Sequence, residues 1–272
     1  MQSDPRGHCK TGLAAADILI GETKVTRADT SVITVHRPIP AEQIRLLIFD
    51  LDGTLIDSQI DLANSVNAML RHFGRQELSH EVIATYIGDG APMLIRRALG
   101  DPDDGHYMHK ALDFFLHYYR EHKLDNTTLY PGIREALEAL RWAENGGCKT
   151  ERKFAVLSNK PVGPSTKILE GLGIRDLFVQ VYGGNSFPTK KPDPMGANAI
   201  LEETGTRPEE AIIIGDSEID VITGRNAGTW CCGVTYGFRP DTLKVVPPDV
   251  VIDHPRELPL VFSKDYEEEF DN

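Results

Sequence analysis

Leu46-Leu47-Ile48-Phe49 runs straight into Asp50-Leu51-Asp52-Gly53-Thr54-Leu55. Four consecutive apolar residues closed by carboxylates and a glycine read as a strand buried on both faces, as in parallel sheets, with a polar turn at its carboxyl end. The form recurs three times. Phe154-Ala155-Val156-Leu157 ends in Ser158-Asn159, Val179-Gln180-Val181-Tyr182 in Gly183-Gly184, and Ala211-Ile212-Ile213-Ile214 in Gly215-Asp216. Helical spacings lie between these runs, over 133–143, 165–172, 195–204 and 218–227. Strands alternating with helices predict an α/β fold: a doubly wound, Rossmann-like parallel sheet. Ligands of such sheets bind beyond the carboxyl ends of the strands, which is where these polar residues stand.

Residues 58–128 break the alternation. Leu62, Val66, Met69, Leu70 and Phe73, and again Leu112, Phe115, Leu116 and Tyr119, fall at three- and four-residue spacing with no strand run among them. The pattern predicts an α-helical subdomain inserted after the first strand. The α/β core then comprises 43–57 and 129–264, with Pro131-Gly132 restarting it and Val250-Val251-Ile252 as a final strand before a short helix. Residues 1–42 read as a poorly specified extension; Val32–Val35 suits a short strand, ended by Pro38-Ile39-Pro40. Residues 145–152 look long for a helix-to-strand turn, and 265–272 form an acidic tail.

The 272 residues carry 29 Lys and Arg against 41 Asp and Glu, a formal charge of −12. Such a chain is repelled by phosphate backbones and anionic lipid, so neither a nucleic-acid nor a membrane partner is expected, while a small anionic ligand can still meet a local positive site. Four scattered cysteines, none spaced Cys-x-x-Cys, give no disulfide or zinc framework and suit a reducing compartment. Residues 13–20 are interrupted by Asp17 and follow Asp4, so they do not read as a signal-peptide core, and a cytoplasmic location is expected.

Asp50 and Asp52, two residues apart at a strand end, point broadly to one side. Burying both charges is costly without a cation, and a hard ion such as Mg²⁺ would neutralise them. Gly53 permits close backbone approach, and neighbouring N–H groups can cradle an anion. Ser158-Asn159-Lys160-Pro161 offers a hydroxyl and an amide; Lys190-Lys191-Pro192-Asp193-Pro194 presents a cation on a stiffened backbone; Gly215-Asp216-Ser217-Glu218-Ile219-Asp220 adds a metal-ligating carboxylate and a second one a turn later to orient it. Taken singly, these are also a strand-to-helix turn, a helix N-cap, a basic turn and an acidic helix start. Taken together, they would converge at one sheet edge with the inventory of metal-assisted phosphoryl transfer.

The four motifs, in this order, resemble the haloacid dehalogenase superfamily over residues 45–262: Asp50-Leu51-Asp52-Gly53-Thr54-Leu55-Ile56-Asp57-Ser58, then Ser158, then Lys191 in Lys-Pro-Asp-Pro, then Gly215-Asp216 through Asp220. The insertion resembles the helical cap of that superfamily. Tyr86-Ile87-Gly88-Asp89-Gly90-Ala91, Arg97-Ala98-Leu99, Leu129-Tyr130-Pro131-Gly132 and Ser158-Asn159-Lys160-Pro161 look most like its phosphoglycolate phosphatase branch.

The resemblance implies a phosphoric monoester hydrolase that forms an aspartyl phosphate on Asp50, with Asp52 as general acid and then base. It implies Mg²⁺ on the carboxylates of Asp50 and Asp216 and the carbonyl of Asp52, Asp220 behind them, and phosphate contacts from Gly53, Ser158, Asn159 and Lys191. The expected partner is a small anionic phosphate ester, most simply 2-phosphoglycolate. A pyrophosphatase, a sugar-phosphate phosphatase or a phosphoglucomutase of the same superfamily is the alternative, and a non-catalytic binding relative a more distant one. Asp52 argues against a dehalogenase or phosphonatase, which lack it. Selectivity is expected from the insertion, where Arg96, Arg97 and His72 are candidates for a substrate carboxylate; the same side chains also suit a solvated helix face. The state expected is a monomer or homodimer.

Overall fold

A computed structural model describes residues 23–26, 32–145 and 148–263. The strands, in chain order, are β1 (Thr23–Thr26), β2 (Val32–Val35), β3 (Leu46–Phe49), β4 (Ile56–Asp57), β5 (Thr128–Leu129), β6 (Trp142–Asn145), β7 (Cys148–Glu151), β8 (Lys153–Leu157), β9 (Gln180–Tyr182), β10 (Ala211–Gly215), β11 (Trp230–Val234) and β12 (Val250–Ile252). The α-helices are α1 (Gln59–His72), α2 (His80–Ala84), α3 (Ala91–Ala98), α4 (Gly105–His122), α5 (Ile133–Leu140), α6 (Val162–Gly171), α7 (Met195–Thr204), α8 (Glu218–Ala227) and α9 (Leu258–Val261). The apolar stretch at 13–20, read as no signal peptide, and the acidic tail at 265–272 lie outside the described residues.

One eight-stranded sheet runs β1-β2-β12-β11-β10-β3-β8-β9. From β12 to β9 every pairing is parallel. β3 is flanked by β10 and β8, and all four of its residues are buried because helices cover both faces. The sheet is therefore the doubly wound one expected, with β3, β8 and β10 side by side and their polar carboxyl-terminal turns at one edge.

Three features differ from the sequence reading. β11 occupies a central position although Trp230-Cys231-Cys232-Gly233-Val234 has no strand-like run. Its two free cysteines are buried and act as small apolar residues. Second, Val32–Val35, within the stretch read as an unspecified extension, pairs antiparallel with β12. Asp249 pins it: its buried carboxylate takes the Arg37 guanidinium at 2.7 Å, Arg225 at 3.0 Å and the Cys231 N–H at 2.8 Å, while its carbonyl accepts from the N–H groups of His36 and Arg37. Third, the helix expected over 133–143 stops at Leu140. Trp142–Asn145 then pairs with Cys148–Glu151, so the polar stretch after it is one arm of a two-stranded ribbon that satisfies its own backbone groups.

α1 to α4 make up the insertion. Leu62, Val66 and Met69 of α1 are buried along with Phe115 and Tyr119 of α4, whose rings stack 5.7 Å apart, and this apolar cluster continues into the sheet. The chain leaves along β4 and returns along β5, which pair antiparallel. Asp61 clamps this root. Its buried carboxylate accepts from the N–H and Nδ2 of Asn126 and from the N–H and hydroxyl of Thr127, at 2.7–3.0 Å. Burial alone would raise its pKa, but the bonds from Asn126 and Thr127 outweigh it and hold the carboxyl below its ordinary value.

Candidate active site

Parallel pairing fixes the first cluster. Phe49 lies opposite Ile214, so Asp50 and Asp216 leave neighbouring strands at the same edge. Asp220, on the first turn of α8, reaches back to them: one oxygen each of Asp50, Asp216 and Asp220 lies within 4.8 Å of the others. Lys191 Nζ sits among them, 2.9 Å from Asp50 Oδ1 and 2.6 Å from Asp220 Oδ1. Asp220 Oδ2 accepts from the N–H and hydroxyl of Ser217, closing a capping box. Both its oxygens are thus engaged, which makes it an anchor for Lys191. Asp216 Oδ2 accepts from the N–H groups of Phe238 (2.7 Å) and Arg239 (3.2 Å). Gly53 makes room for this packing: with φ at +85°, a Cβ there would meet Asp216 Oδ2 at 2.4 Å.

Three carboxylates against one ammonium leave an excess of buried negative charge. Burial, with Asp220 and Asp50 adding to it, pushes the Asp216 carboxyl up to about 8. Burial likewise raises Asp50 to about 6, although Lys191 opposes it. Hard oxygen donors whose charges destabilise one another are what a divalent cation relieves, so the residues present fit a metal ion.

Asp52 stands apart from this cluster. Its Oδ1 and Oδ2 take the Lys160 ammonium at 2.8 and 3.0 Å, and Oδ1 also accepts from the Ser58 hydroxyl at 2.5 Å. Lys160 is buried, and its Nζ lies 4.7 Å from the centre of the Tyr119 ring. Burial alone would favour the neutral amine; the Asp52 carboxylate overrides it and raises the Lys160 pKa above its ordinary value. Sequence reasoning singles out the Ser158-Asn159-Lys160-Pro161 phrase but gives its lysine no part. The only signal is a cation two residues beyond Ser158, and a lysine is ordinarily exposed.

The other expected residues divide. Ser158 is buried at the end of β8, its hydroxyl accepting from the Lys160 N–H. Gly53 donates its N–H to the Ile56 carbonyl at 3.0 Å. Asn159 Nδ2 donates to the carbonyls of Gly88 and Lys191, both at 3.1 Å, and so ties the insertion to the Lys191 loop. Arg96 faces away, paired with Asp101 on the surface, and Arg97 pairs with Asp89 at 2.6 Å. His72 is exposed and stacks on Phe114. None of these three lines the cavity beside Asp50 and Asp52. An arginine's long stem lets its head swing to the nearest exposed carboxylate, which helical periodicity does not reveal.

The cavity has about 50 Å³ of space, enough for a few water molecules at roughly 10–15 Å³ each. Asp50, Asp52, Ser158, Asn159 and Lys160 form its core wall. Leu62, Ile87, Leu94, Phe115, Leu116 and Tyr119, with Gly88, Gly90 and Ala91, form the insertion wall.

A family model, haloacid dehalogenase-like hydrolase, matches residues 47–234, which contain every carboxylate and cation of the two clusters. The chain belongs to this family. A phosphoglycolate phosphatase of Pseudomonas putida is 38% identical over 232 residues, covering 80% of each chain. One of Chromobacterium violaceum is 37% identical over 201 residues, 72% of this chain and 87% of that one. The crystal structure of a predicted phosphoglycolate phosphatase from Haemophilus somnus superposes with a TM-score of 0.74 at 31% identity, over 81% of this chain and 99% of the other. As a haloacid dehalogenase-like hydrolase with this carboxylate set, the chain is a phosphoric monoester hydrolase. Among the described residues no helix is long and apolar enough to cross a membrane.

Proposed function

We propose that the chain is a Mg²⁺-dependent phosphatase of the cytoplasm that hydrolyses 2-phosphoglycolate to glycolate and phosphate through an aspartyl phosphate on Asp50. The observation that carries it is the separation of two carboxylates only two residues apart. Asp50 belongs with Lys191 and Asp216, whereas Asp52 belongs with Lys160 and Ser58. Groups alike in chemistry and different in surroundings suit different roles. The names of the relatives support the substrate.

An Asp50 oxygen attacks phosphorus, and Asp52 gives its proton to the departing ester oxygen. Asp52 then takes a proton from the water that attacks the aspartyl phosphate, which restores Asp50. Lys191, anchored by Asp220, holds Asp50 in line and faces the transferring phosphoryl oxygens, with the Ser158 hydroxyl and the Asp52 N–H as further donors. The carboxylates of Asp50 and Asp216 and the carbonyl of Asp52 would hold Mg²⁺, which would supply charge neutralisation at the phosphoryl group. The insertion, residues 58–128, acts as a cap that excludes water and bulky esters.

The test is a panel of phosphoglycolate, 2-hydroxyethyl phosphate, pyrophosphate, β-glucose 1-phosphate and AMP, with Mg²⁺ and with chelator. The highest kcat/KM is expected for phosphoglycolate, lost on chelation and restored by Mg²⁺. Preference for pyrophosphate, or conversion of the sugar phosphate, overturns the substrate. Full activity in excess chelator overturns the metal.

A further inference from the structure

Tyr119 and Lys160 face one another across the cavity, and each is buried beyond what its polarity allows without a reason. Tyr119 is 3% exposed, lines the cavity from α4 beside the Lys160 ammonium, and its hydroxyl proton has no acceptor among the described residues, since an ammonium can only donate to it. A buried hydroxyl proton without an acceptor is unfavourable, and a phenylalanine would pack the ring as well. Among the described residues, Lys160 is the one cation lining that cavity. Two of its three donors are spent on Asp52, and its ammonium approaches the Tyr119 ring at 4.7 Å. The rest of the insertion wall is apolar side chain and glycine backbone, so an anionic leaving group finds no other charged partner there.

We propose that Lys160 and Tyr119 together form the receptor for a carboxylate on the leaving group and determine the enzyme's specificity. The inference rests on the phosphatase reading above and names its substrate class. Lys160 is bonded to the carboxylate that protonates the ester oxygen, so its ammonium stands only a few ångströms from that oxygen. A carboxylate on the adjacent carbon, as in 2-phosphoglycolate or 2-phospholactate, reaches it; one several carbons away does not. The core supplies the charge and α4 the hydroxyl, so a carboxylate bridging them also draws the insertion onto the core. Specificity is then set by two residues on opposite walls, neither of which is an arginine of the insertion.

Tyr119→Phe and Lys160→Met are compared in the full-length enzyme with Mg²⁺, on phosphoglycolate, 2-phospholactate and the uncharged 2-hydroxyethyl phosphate. Tyr119→Phe should lower kcat/KM for phosphoglycolate about tenfold while leaving hydroxyethyl phosphate within about twofold. Lys160→Met should slow both through Asp52, but phosphoglycolate about 100-fold more. In both variants, inhibition of hydroxyethyl phosphate turnover by glycolate should weaken while inhibition by inorganic phosphate stays, a split that mere loosening of the fold does not produce. Equal losses on charged and uncharged esters, with glycolate inhibition unchanged, overturn the receptor and leave the phosphatase standing. Selective losses with 2-phospholactate as the better substrate support the receptor and overturn phosphoglycolate as the physiological ester. A wild-type enzyme with no preference for either phospho-acid overturns both.

Discussion

The two walls of the cavity are built on opposite plans. The core wall carries Asp50, Asp52 and Lys160 beside Ser158 and Asn159, and each charge on it and just behind it is held by at least one neighbour: Asp50 and Asp220 by Lys191, Asp52 by Lys160 and Ser58, Asp216 by two backbone N–H groups. On the insertion wall the side chains are apolar, and the proton of the single hydroxyl has no acceptor among the described residues. Strand ends can hold such a network because parallel pairing fixes their spacing, whereas helices joined through a two-residue strand pair cannot hold charges to the same tolerance. In the proposed function the chemistry therefore sits on the sheet, and the insertion contributes exclusion of water and choice of substrate.

The largest test of this division is Asp50→Asn. If chemistry lives on the core wall alone, turnover should fall about 10⁴-fold or more while the melting temperature stays near that of the wild type. The check is steady-state hydrolysis together with mass spectrometry to exclude deamidated protein. Wild-type turnover from a variant shown to be free of deamidation would break the assignment.

The joint between the walls gives a smaller effect. Asp61→Asn should cost about 2–3 kcal/mol at pH 7, because an amide presents N–H groups to donors that need an acceptor. The folded pKa of Asp61 is depressed, so its contribution is present above the unfolded value of about 3.9 and is lost as pH falls through the folded one. The gap between wild type and variant, read from urea midpoints at pH 7 and near pH 3, should therefore narrow in acid. A gap independent of pH would mean the clamp does not work through its charge.

The smallest effect expected is at Arg96. Its ion pair with Asp101 is on the surface, so Arg96→Ala should change stability by no more than about 0.5 kcal/mol and leave kcat/KM for charged and uncharged esters alike. A selective loss on phosphoglycolate would return specificity to the insertion's arginines and blur the contrast.

Much of the core wall is legible in the amino-acid sequence. Leu46–Phe49 announces its strand because burial on both faces leaves an unbroken apolar run, and Ala211–Gly215 does the same. β11 is not legible, since cysteine and glycine pack inside a sheet without declaring a period. The joining of Val32–Val35 to the sheet depends on Asp249, more than 200 residues away in sequence, and no local pattern reports a contact at that range.

The sequence by itself determined the doubly wound sheet, the place of the insertion, and the residues Asp50, Asp52, Ser158, Lys191, Asp216 and Asp220 at one sheet edge. Those follow from local periodicity and from the rule that strand ends carry the ligand site. Only the tertiary structure decided which neighbour each charge takes. It gave Lys160 to Asp52, Arg96 to Asp101 and Arg97 to Asp89, and set the Tyr119 ring facing Lys160. The physical reason is reach. A backbone position is fixed by hydrogen bonds that repeat along the chain, but a long side chain has several ångströms of freedom, and only packing across elements far apart in sequence selects where its charge comes to rest.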